Sequence, residues 1–434
     1  MNTRELQELD KRHLWHPFTQ MRDWCASEHE PLVLARGKGA RLWDSEGREY
    51  IDGNSSIWTN IHGHNHPAIN AAIREQLEKV GHASFLGFTN EPAIKLAAAL
   101  TSHFPPDTLT RVFYSDDGST AVECALKMAL QFWQLAGQPQ RREFIAFDRA
   151  YHGDTLGAAS LGGISLFHDR FAGLGVPAHH VRDVATLDSL PPGKRKKIAA
   201  IAIEPLVQGA AGMQLWPRGM LRQLRGWCDQ HDILLIVDEV MTGFGRTGTM
   251  FACQQENVTP DFLCLAKGLT GGYLPLGATL TTDRIFGAFL GTTDEQKTFF
   301  YGHSYSGNPL GCAAALASLR IFEGENVLEQ LLPKISLFST LLAELKSAVP
   351  DHIGEIRRCG LIAGIDLVKD VSTGELFDPR EQTGASVCLA AREFGLLTRP
   401  IRDTIILMPP LCVMDAELGI AVEAVKRGIE YAVR

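Results

Sequence analysis

The sequence predicts an α/β fold with a mostly parallel central sheet. Short aliphatic or β-branched runs, typical of buried strands, alternate through the middle of the chain with longer segments of helical periodicity. The 434 residues, 45% of them apolar, are enough for two or three domains with a large buried core. Both ends of the chain show a different pattern, so we expect a second, smaller domain.

The predicted elements follow in chain order. Residues 33–51 suggest a small antiparallel piece, because turn-forming clusters at 36–39 and 44–47 interrupt it. A strand at 110–114 precedes a helix at 119–135, whose apolar residues recur on one face. The remaining elements of the central part are strands at 144–147, 198–203, 233–237 and 262–266 and a helix at 218–230.

The C-terminal part begins with a helical stretch at roughly 307–347. Strand-like runs resume from residue 353, and the chain ends in a helix. These later elements are strands at 361–368, 396–398 and 404–408 and a helix at 415–433. We therefore expect a large domain at 61–330 and a small α+β domain assembled from residues 1–60 and 331–434.

Charge and hydropathy exclude several classes of function. The formal net charge of −8 argues against a general nucleic-acid binder, which needs a basic face. The basic run at 194–197 follows a Pro-Pro-Gly turn signal, so we interpret it as a solvated turn before a strand. The uncharged stretch at 298–319 contains polar residues and glycines, which argues against a membrane-spanning helix.

Cysteine and histidine patterns favour neither disulfides nor a metal site. The nine cysteines are odd in number and never form a CxxC pair, which indicates reduced thiols in a cytoplasmic protein. Residues 1–12 lack the apolar core of a signal peptide. His62, His64 and His66 alternate in a loop without a cysteine or acidic cluster, so we expect no metal.

An acidic pair ends one of the predicted buried strands. Asp238 and Glu239 follow the apolar run 234–237, and a glycine-rich segment follows at 243–248. This order places a carboxylate at the carboxyl edge of a parallel sheet, where α/β proteins bind ligands. Taken alone, the pattern fits metal binding or helix capping equally well.

A single lysine, Lys267, ends the next apolar run. An isolated ammonium in an apolar site is costly, so a buried lysine must be neutral or partnered. Covalent attachment to an aldehyde solves this problem, as in enzymes that use pyridoxal phosphate. Such an enzyme also needs a carboxylate that faces the pyridine nitrogen, and Asp238 fits that need.

Two further segments fit the same cofactor. Residues 115–120 join a strand to a helix and offer backbone N–H groups, hydroxyls and a helix N-terminus to a phosphate. A simple helix cap is the alternative interpretation. Tyr151 is followed by His152 and Gly153, and it could stack on the cofactor ring, although a plain turn also fits.

Together these segments resemble the class III aminotransferases of pyridoxal phosphate fold type I, over nearly the whole chain. The segments that carry the resemblance are 117–119, 151–153, Glu204 with Pro205, 238–240, 243–248, Lys267 with Gly268, and 302–308.

The resemblance implies a role for each site residue. Lys267 would hold the cofactor and, once released as an amine, move a proton. Asp238 would pair with the pyridinium nitrogen, with Tyr151 and Val240 on the two faces of the ring. Gly118 and Ser119 would hold the phosphate, and Glu204 would lie near the 3′-oxygen region or pair with a nearby cation. Ser304 would add a phosphate contact from the neighbouring subunit of a homodimer.

Other segments narrow the resemblance to the biotin-biosynthesis branch of this class. They are 15–21, 55–58, 61–64, 398–400 and 408–410. This branch aminates 8-amino-7-oxononanoate to 7,8-diaminononanoate. Arg399 would bind the far carboxylate, which suits a bidentate guanidinium. The channel for the methylene chain would be lined by Trp15, Phe18 and Trp58, and the substrate site would also include Ile57 and Gly302.

The amino donor stays open between S-adenosylmethionine and lysine. Phe18 replaces the usual tyrosine of the opening motif, and Ile57 replaces one of two paired tryptophans. Both changes reduce the stacking and hydrogen bonding available to an adenosyl group. Two alternatives to the biotin-pathway reaction remain, namely another class III transaminase of ω-amino acids or diamines and a cofactor-free α/β binding protein.

Overall fold

The computed structural model describes residues 1–433. Its strands are β1 Leu34–Lys38, β2 Arg41–Asp44, β3 Glu49–Asp52, β4 Leu109–Ser115, β5 Glu143–Phe147, β6 Ala178–Val181, β7 Ile198–Ile203, β8 Val207–Gln208, β9 Gln214–Leu215, β10 Leu234–Asp238, β11 Phe262–Leu265, β12 Gly277–Thr282, β13 Ile353–Cys359, β14 Ile362–Leu367, β15 Leu396–Leu397, β16 Pro400–Ile401 and β17 Thr404–Leu407.

The helices cover much of the remaining chain. They are α1 Thr3–His13, α2 Met21–Trp24, α3 Ser55–Trp58, α4 Pro67–Lys79, α5 Glu91–Thr101, α6 Gly118–Leu135, α7 Leu156–Ser160, α8 Ser165–His168, α9 Val184–Asp188, α10 Pro192–Arg195, α11 Met220–His231, α12 Asp283–Ala288, α13 Pro309–Gly324, α14 Val327–Ala348, α15 Thr383–Arg392 and α16 Asp415–Ala432. Short 3₁₀ helices lie at Asp169–Phe171, Ala252–Glu256, Lys267–Thr270 and Thr293–Glu295. In the described part of the chain, no helix combines the length and apolar character that crossing a membrane requires.

The central sheet has seven strands in the order β4-β12-β11-β10-β7-β5-β6. All neighbouring pairs are parallel except the two pairs that β12 makes. Every residue of β7 and β10 is buried, as expected for strands that helices cover on both faces. The predicted α/β class with a mostly parallel sheet is therefore confirmed.

The register of this sheet brings two functional segments together. Asp238, the last residue of β10, pairs with Cys264 of β11 in parallel. Lys267 follows three residues later and begins a 3₁₀ helix. Since parallel strands end at the same edge of a sheet, the carboxylate and the amine are brought to the same edge.

Two smaller sheets are built from the ends of the chain. One has the order β1-β2-β3-β15, in which Ile51 pairs in parallel with Leu396, so N-terminal and C-terminal strands share it. The other has the order β13-β14-β17-β16. The domain limits at residues 60 and 330 stay a prediction.

The helical stretch expected at 307–347 is two helices, α13 and α14. Glu325 caps the first, and Asn326 precedes the second with a left-handed φ of 49°. A helix cannot run through a left-handed residue, and asparagine tolerates that conformation better than most residues. The predicted helical stretch is therefore divided into two helices at this point.

Candidate active site

A cavity of about 1440 Å³ opens at the carboxyl edge of β10 and β11. Its inner part is lined by Asp238, Lys267 and the start of α6, and its outer part by Phe18, Ile57 and the β16–β17 hairpin. Crevices at the carboxyl ends of parallel strands are the usual ligand sites of α/β folds. The cavity therefore collects the residues that the sequence singled out from separate segments.

Lys267 reaches the cavity from a strained backbone position. Its φ is +44°, an uncommon value for a residue with a Cβ, and such positions concentrate at functional sites. Its Nζ lies 4.9 Å from the ring centroid of Trp58. Burial lowers the pKa of the amine, while the charges of Asp238 and Glu204 oppose this shift. The net lowering favours an unprotonated amine, which is the nucleophilic form.

Asp238 is buried and has two protein partners. Its Oδ2 lies 2.7 Å from Nδ1 of His152, and its Oδ1 accepts a hydrogen bond from the backbone N–H of Val240 at 3.0 Å. Burial disfavours the imidazolium, but the hydrogen bond to Asp238 and the charges of Asp238 and Glu204 raise the pKa of His152. Nε2 of His152 is buried without a hydrogen-bond partner among residues 1–433.

Glu204 is a buried carboxyl that organises two loops of the cavity wall. Its Oε2 accepts the backbone N–H of Tyr151 at 3.2 Å, and its Oε1 accepts the backbone N–H of Gly209 at 2.9 Å. Burial raises the pKa of Glu204 to about 7, although the neighbouring His152 lowers it and Asp238 adds to the rise. Glu204 therefore titrates near neutral pH.

The start of α6 forms an anion site. Asp117 caps the helix, and its side chain accepts the N–H of Thr120 at 2.8 Å. The N–H groups of Gly118 and Ser119 have no protein acceptor in residues 1–433. Ser119 Oγ is fixed by Thr155, whose backbone N–H donates to it at 2.9 Å. Two orphan N–H groups and the positive end of an 18-residue helix suit a phosphate.

The two proposed ring walls also line the cavity. Tyr151 is half-buried and its hydroxyl donates to Oδ2 of Asp154 at 2.7 Å, which fixes the ring. Val240 packs directly on the start of α6, because a Cβ at Gly118 would lie 2.5 Å from its Cγ1. Only glycine fits there. The aromatic wall, the aliphatic wall, the acid, the amine and the anion site together fit pyridoxal phosphate.

The outer part of the cavity is more exposed. Phe18 and Ile57 line it with 63% and 46% of their surface accessible, and Arg399 is exposed beside them. Trp58 is buried and its indole N–H donates to Oδ1 of Asn54 at 2.9 Å. Trp15, which the sequence assigned to the channel, is 89% exposed and lies outside the cavity lining.

Ser304 and Gly302 are exposed and do not line the cavity formed by this chain. Between them, Nδ1 of His303 lies 2.8 Å from Oδ2 of Asp116, which does line it. Residues 302–304 therefore lie next to the anion site but outside the cavity. A role for Ser304 or Gly302 in a partner's cavity stays a prediction.

Sequence reasoning did not assign a role to several residues of the site. His152 stood in the quoted motif beside Tyr151, but its contact with Asp238 spans 86 positions along the chain. Thr155, which positions Ser119, lies two residues beyond that motif. Arg402 lines the cavity from the β16–β17 turn. In the sequence, the only indication that Arg402 belongs to the site was its place three residues after Arg399.

The comparisons with known proteins agree with this geometry. The chain is 46% identical to the adenosylmethionine-8-amino-7-oxononanoate aminotransferase of Geobacter sulfurreducens, covering 99% of this chain and 98% of that protein. The like-named protein of Nitratidesulfovibrio vulgaris is 49% identical, over 98% of this chain and 82% of its own.

Solved structures give the same result. That of adenosylmethionine-8-amino-7-oxononanoate aminotransferase from Methanocaldococcus jannaschii matches with a TM-score of 0.96 at 42% identity, over 99% of both chains. An (S)-enantioselective omega-transaminase from Thermomicrobium roseum matches with a TM-score of 0.92 at 34% identity, over the whole of both chains. The sequence profile of the class-III aminotransferases matches residues 25–429. The chain therefore belongs to the class-III aminotransferase family.

Proposed function

We propose that this aminotransferase uses pyridoxal phosphate to convert 8-amino-7-oxononanoate into 7,8-diaminononanoate. The proposal rests on the arrangement of the residues that line one cavity. Its inner end holds an amine, a carboxylate and an anion site, and its outer end holds apolar side chains and the guanidinium of Arg399. This order suits a long aliphatic acid whose reacting carbon and carboxylate lie at opposite ends.

The inner residues have distinct roles. Pyridoxal phosphate, when bound, supplies an aldehyde that accepts the amino group and a protonated ring that takes up the electrons of the broken C–H bond. Lys267 would hold the cofactor through its amine and, once released as a free amine, would move the proton at the substrate carbon. Asp238 keeps the ring nitrogen protonated, and His152 holds that carboxylate in place. Gly118 and Ser119 donate backbone N–H groups to the phosphate.

The outer residues select the substrate. Arg399 offers a planar guanidinium with no ion pair or hydrogen bond to residues 1–433, so it is available to a carboxylate. Trp58, Ile57 and Phe18 provide apolar surface in the cavity that Arg399 and Lys267 also line. Burial of methylene groups against these side chains stabilises binding by ~0.8 kcal/mol per group.

We further propose a cytoplasmic homodimer with shared active sites. All nine cysteines, which lie within the described residues, are free thiols, as expected in a reducing compartment. Large apolar side chains are exposed on the segment that carries Ser304 and on the segment packed beside it; they are Leu86, Phe88, Phe300 and Tyr305. Such a patch is typical of a subunit interface. Ser304 would then contact the partner's phosphate.

The experiment that tests the proposed function is product formation by the purified holoenzyme. Incubation with 8-amino-7-oxononanoate and either S-adenosylmethionine or lysine is expected to give 7,8-diaminononanoate, detected by mass spectrometry. The absence of product with any donor would remove this substrate and favour another ω-amino acid or diamine transaminase. Spectroscopy of the half-reaction with each donor alone identifies the donor, because only the true donor converts the aldehyde form of the cofactor to the amine form.

A further inference from the structure

The β16–β17 hairpin and the residue before it contribute two arginines to the cavity lining, Arg399 directly before β16 and Arg402 after it. Next to Arg399 in the sequence, Thr398 Oγ1 donates to the carbonyl of Ile406, which packs in one cluster with Trp58, the ring beside Lys267. From there Pro400 pairs with Ile405 and Ile401 with Thr404. Arg402 is in the two-residue turn that closes the hairpin, three residues beyond Arg399 in the sequence.

Arg402 occupies a backbone conformation that an arginine rarely adopts. Its φ is +53°, in the left-handed region that glycine or asparagine fills in tight hairpin turns. Neighbouring contacts hold the turn in this form. Asp403 Oδ1 accepts the N–H of Gly384 at 2.8 Å, and the carbonyl of Arg402 lies so near Gly384 that a Cβ there has no room. A strained residue that its surroundings hold in place at a cavity is a candidate for function.

The charges around the cavity indicate what Arg402 binds. Each acid that lines the cavity already has a protein partner; these acids are Asp116, Asp117, Glu204 and Asp238. The exposed side chain of Arg402 makes no ion pair or hydrogen bond within residues 1–433. A lining cation without an internal acid suits an anion that enters from solvent, and a guanidinium suits a carboxylate.

We propose that Arg402 is a second carboxylate-binding residue, which acts with Arg399 to select substrates whose carboxylate lies several carbons from the reacting carbon. This inference rests on the proposed function and deepens it. Two exposed guanidiniums three residues apart on one chain segment can together bind the carboxylate at the far end of a long acid. A short α-amino acid at Lys267 has its carboxylate next to the reacting carbon and does not extend to the turn.

The test compares two probes of equal chain length, 7-aminoheptanoate and heptylamine, with the holoenzyme. The readout is the ratio of their kcat/KM values in the half-reaction, followed by the loss of cofactor absorbance. Arg402→Gly removes the cation and also relieves the left-handed strain, so the variant is expected to fold. The ratio should fall about tenfold, the loss typical of one partly exposed charged hydrogen bond. Arg402→Lys should retain part of the preference, and Arg402→Gln should not.

The matched control is Gln382→Gly. Gln382 also has a left-handed φ, of 50°, but it is exposed and lies outside the cavity lining, so this change relieves comparable strain and should leave the ratio unchanged. The inference would be overturned if Arg402→Gly left the ratio of the two kcat/KM values unchanged. It would also be overturned if the wild-type enzyme showed no preference for the probe with the carboxylate, or accepted neither probe. The proposed function is tested by a different experiment: it would be contradicted if the wild-type enzyme formed no 7,8-diaminononanoate.

Discussion

The inner and outer ends of the cavity differ in how tightly their polar groups are held. At the inner end, Asp238 and Glu204 are buried and each accepts two hydrogen bonds or close polar contacts from the protein. At the outer end, Arg399 and Arg402 are exposed and make no side-chain contacts of this kind within residues 1–433. Groups fixed in advance stabilise developing charge without reorganisation, whereas exposed groups adapt to the molecule that enters.

This contrast suggests that the two ends of the cavity have different roles, the inner end in the reaction and the outer end in substrate selection. The inner residues surround a cofactor site and fit one reaction type, amino transfer. In the proposed function, the outer residues select the chain length and the charges of the substrate. Changes at the inner end should therefore abolish turnover with every substrate, and changes at the outer end should alter the relative rates of different substrates.

The largest effect is expected from Lys267→Ala. Removal of the amine that lies beside Trp58 eliminates both the covalent attachment of the cofactor and the proton transfer, so transamination should fall by several orders of magnitude with all substrates. Circular dichroism should show that the variant remains folded. Turnover at a substantial fraction of the wild-type rate would place the reaction elsewhere.

The next effect is expected from Asp238→Asn. An amide of the same shape cannot hold the ring nitrogen protonated, so kcat should fall by ~10²–10³-fold while the cofactor is still bound. The matched comparison is Asp154→Asn, because Asp154 follows the lining residue Gly153 and, within residues 1–433, its carboxylate accepts one hydrogen bond, from the Tyr151 hydroxyl. Equal losses in the two variants would contradict a special role for Asp238.

A pH-dependent effect on stability is expected at Glu204. Its folded-state pKa is raised to about 7 from an ordinary value of 4.5, so the folded form retains a proton that the unfolded chain releases. The stability that this retained proton gives to the folded form is fully present below pH 4.5 and is lost as the pH rises through 7. Between pH 5 and 8, the wild-type free energy of unfolding should fall by ~2–3 kcal/mol relative to that of Glu204→Gln.

Urea unfolding of both proteins without cofactor at several pH values measures this difference. Glutamine keeps the volume and removes the titration, so the two pH curves should diverge only across this range. Parallel curves would show that Glu204 keeps an ordinary pKa.

The smallest effects are expected at the exposed outer residues. Ile57→Trp adds an indole and Phe18→Tyr adds a hydroxyl, and both side chains are at least 46% exposed, so the fold should tolerate either change. An added aromatic surface favours an adenosyl group, so Ile57→Trp should raise the preference for S-adenosylmethionine over lysine by about threefold to tenfold. An unchanged ratio of the two half-reaction rates would show that Ile57 does not contact the donor.

Much of the inner end could be predicted from the sequence because it is encoded locally. Apolar runs that are buried on both faces mark β10 and β11, and the functional residues follow them directly. The prediction for α6 differs from the structure by one residue at its start. By contrast, β12 was not predicted, since its residues Gly277–Thr282 are mostly small or polar and are buried only through their neighbours in the sheet.

The remaining features depend on contacts between distant segments. His152 meets Asp238 only because β5 and β10 flank the same strand, β7. The position of Arg402 in a hairpin turn follows from the pairing of β16 with β17, which residue types alone do not define. The predicted roles of Ser304 and Gly302 concern a second chain, so the fold of a single chain leaves them as predictions.

Chemical trapping shows whether this cavity is the aminotransferase site and Lys267 its reactive amine. The holoenzyme is treated with borohydride, which fixes the cofactor covalently to the amine that holds it, and the modified peptide is mapped by mass spectrometry. We expect a single pyridoxyl group, on Lys267, and none in Lys267→Ala. A label on another lysine, or no label on a protein that retains the cofactor absorbance, would contradict this assignment.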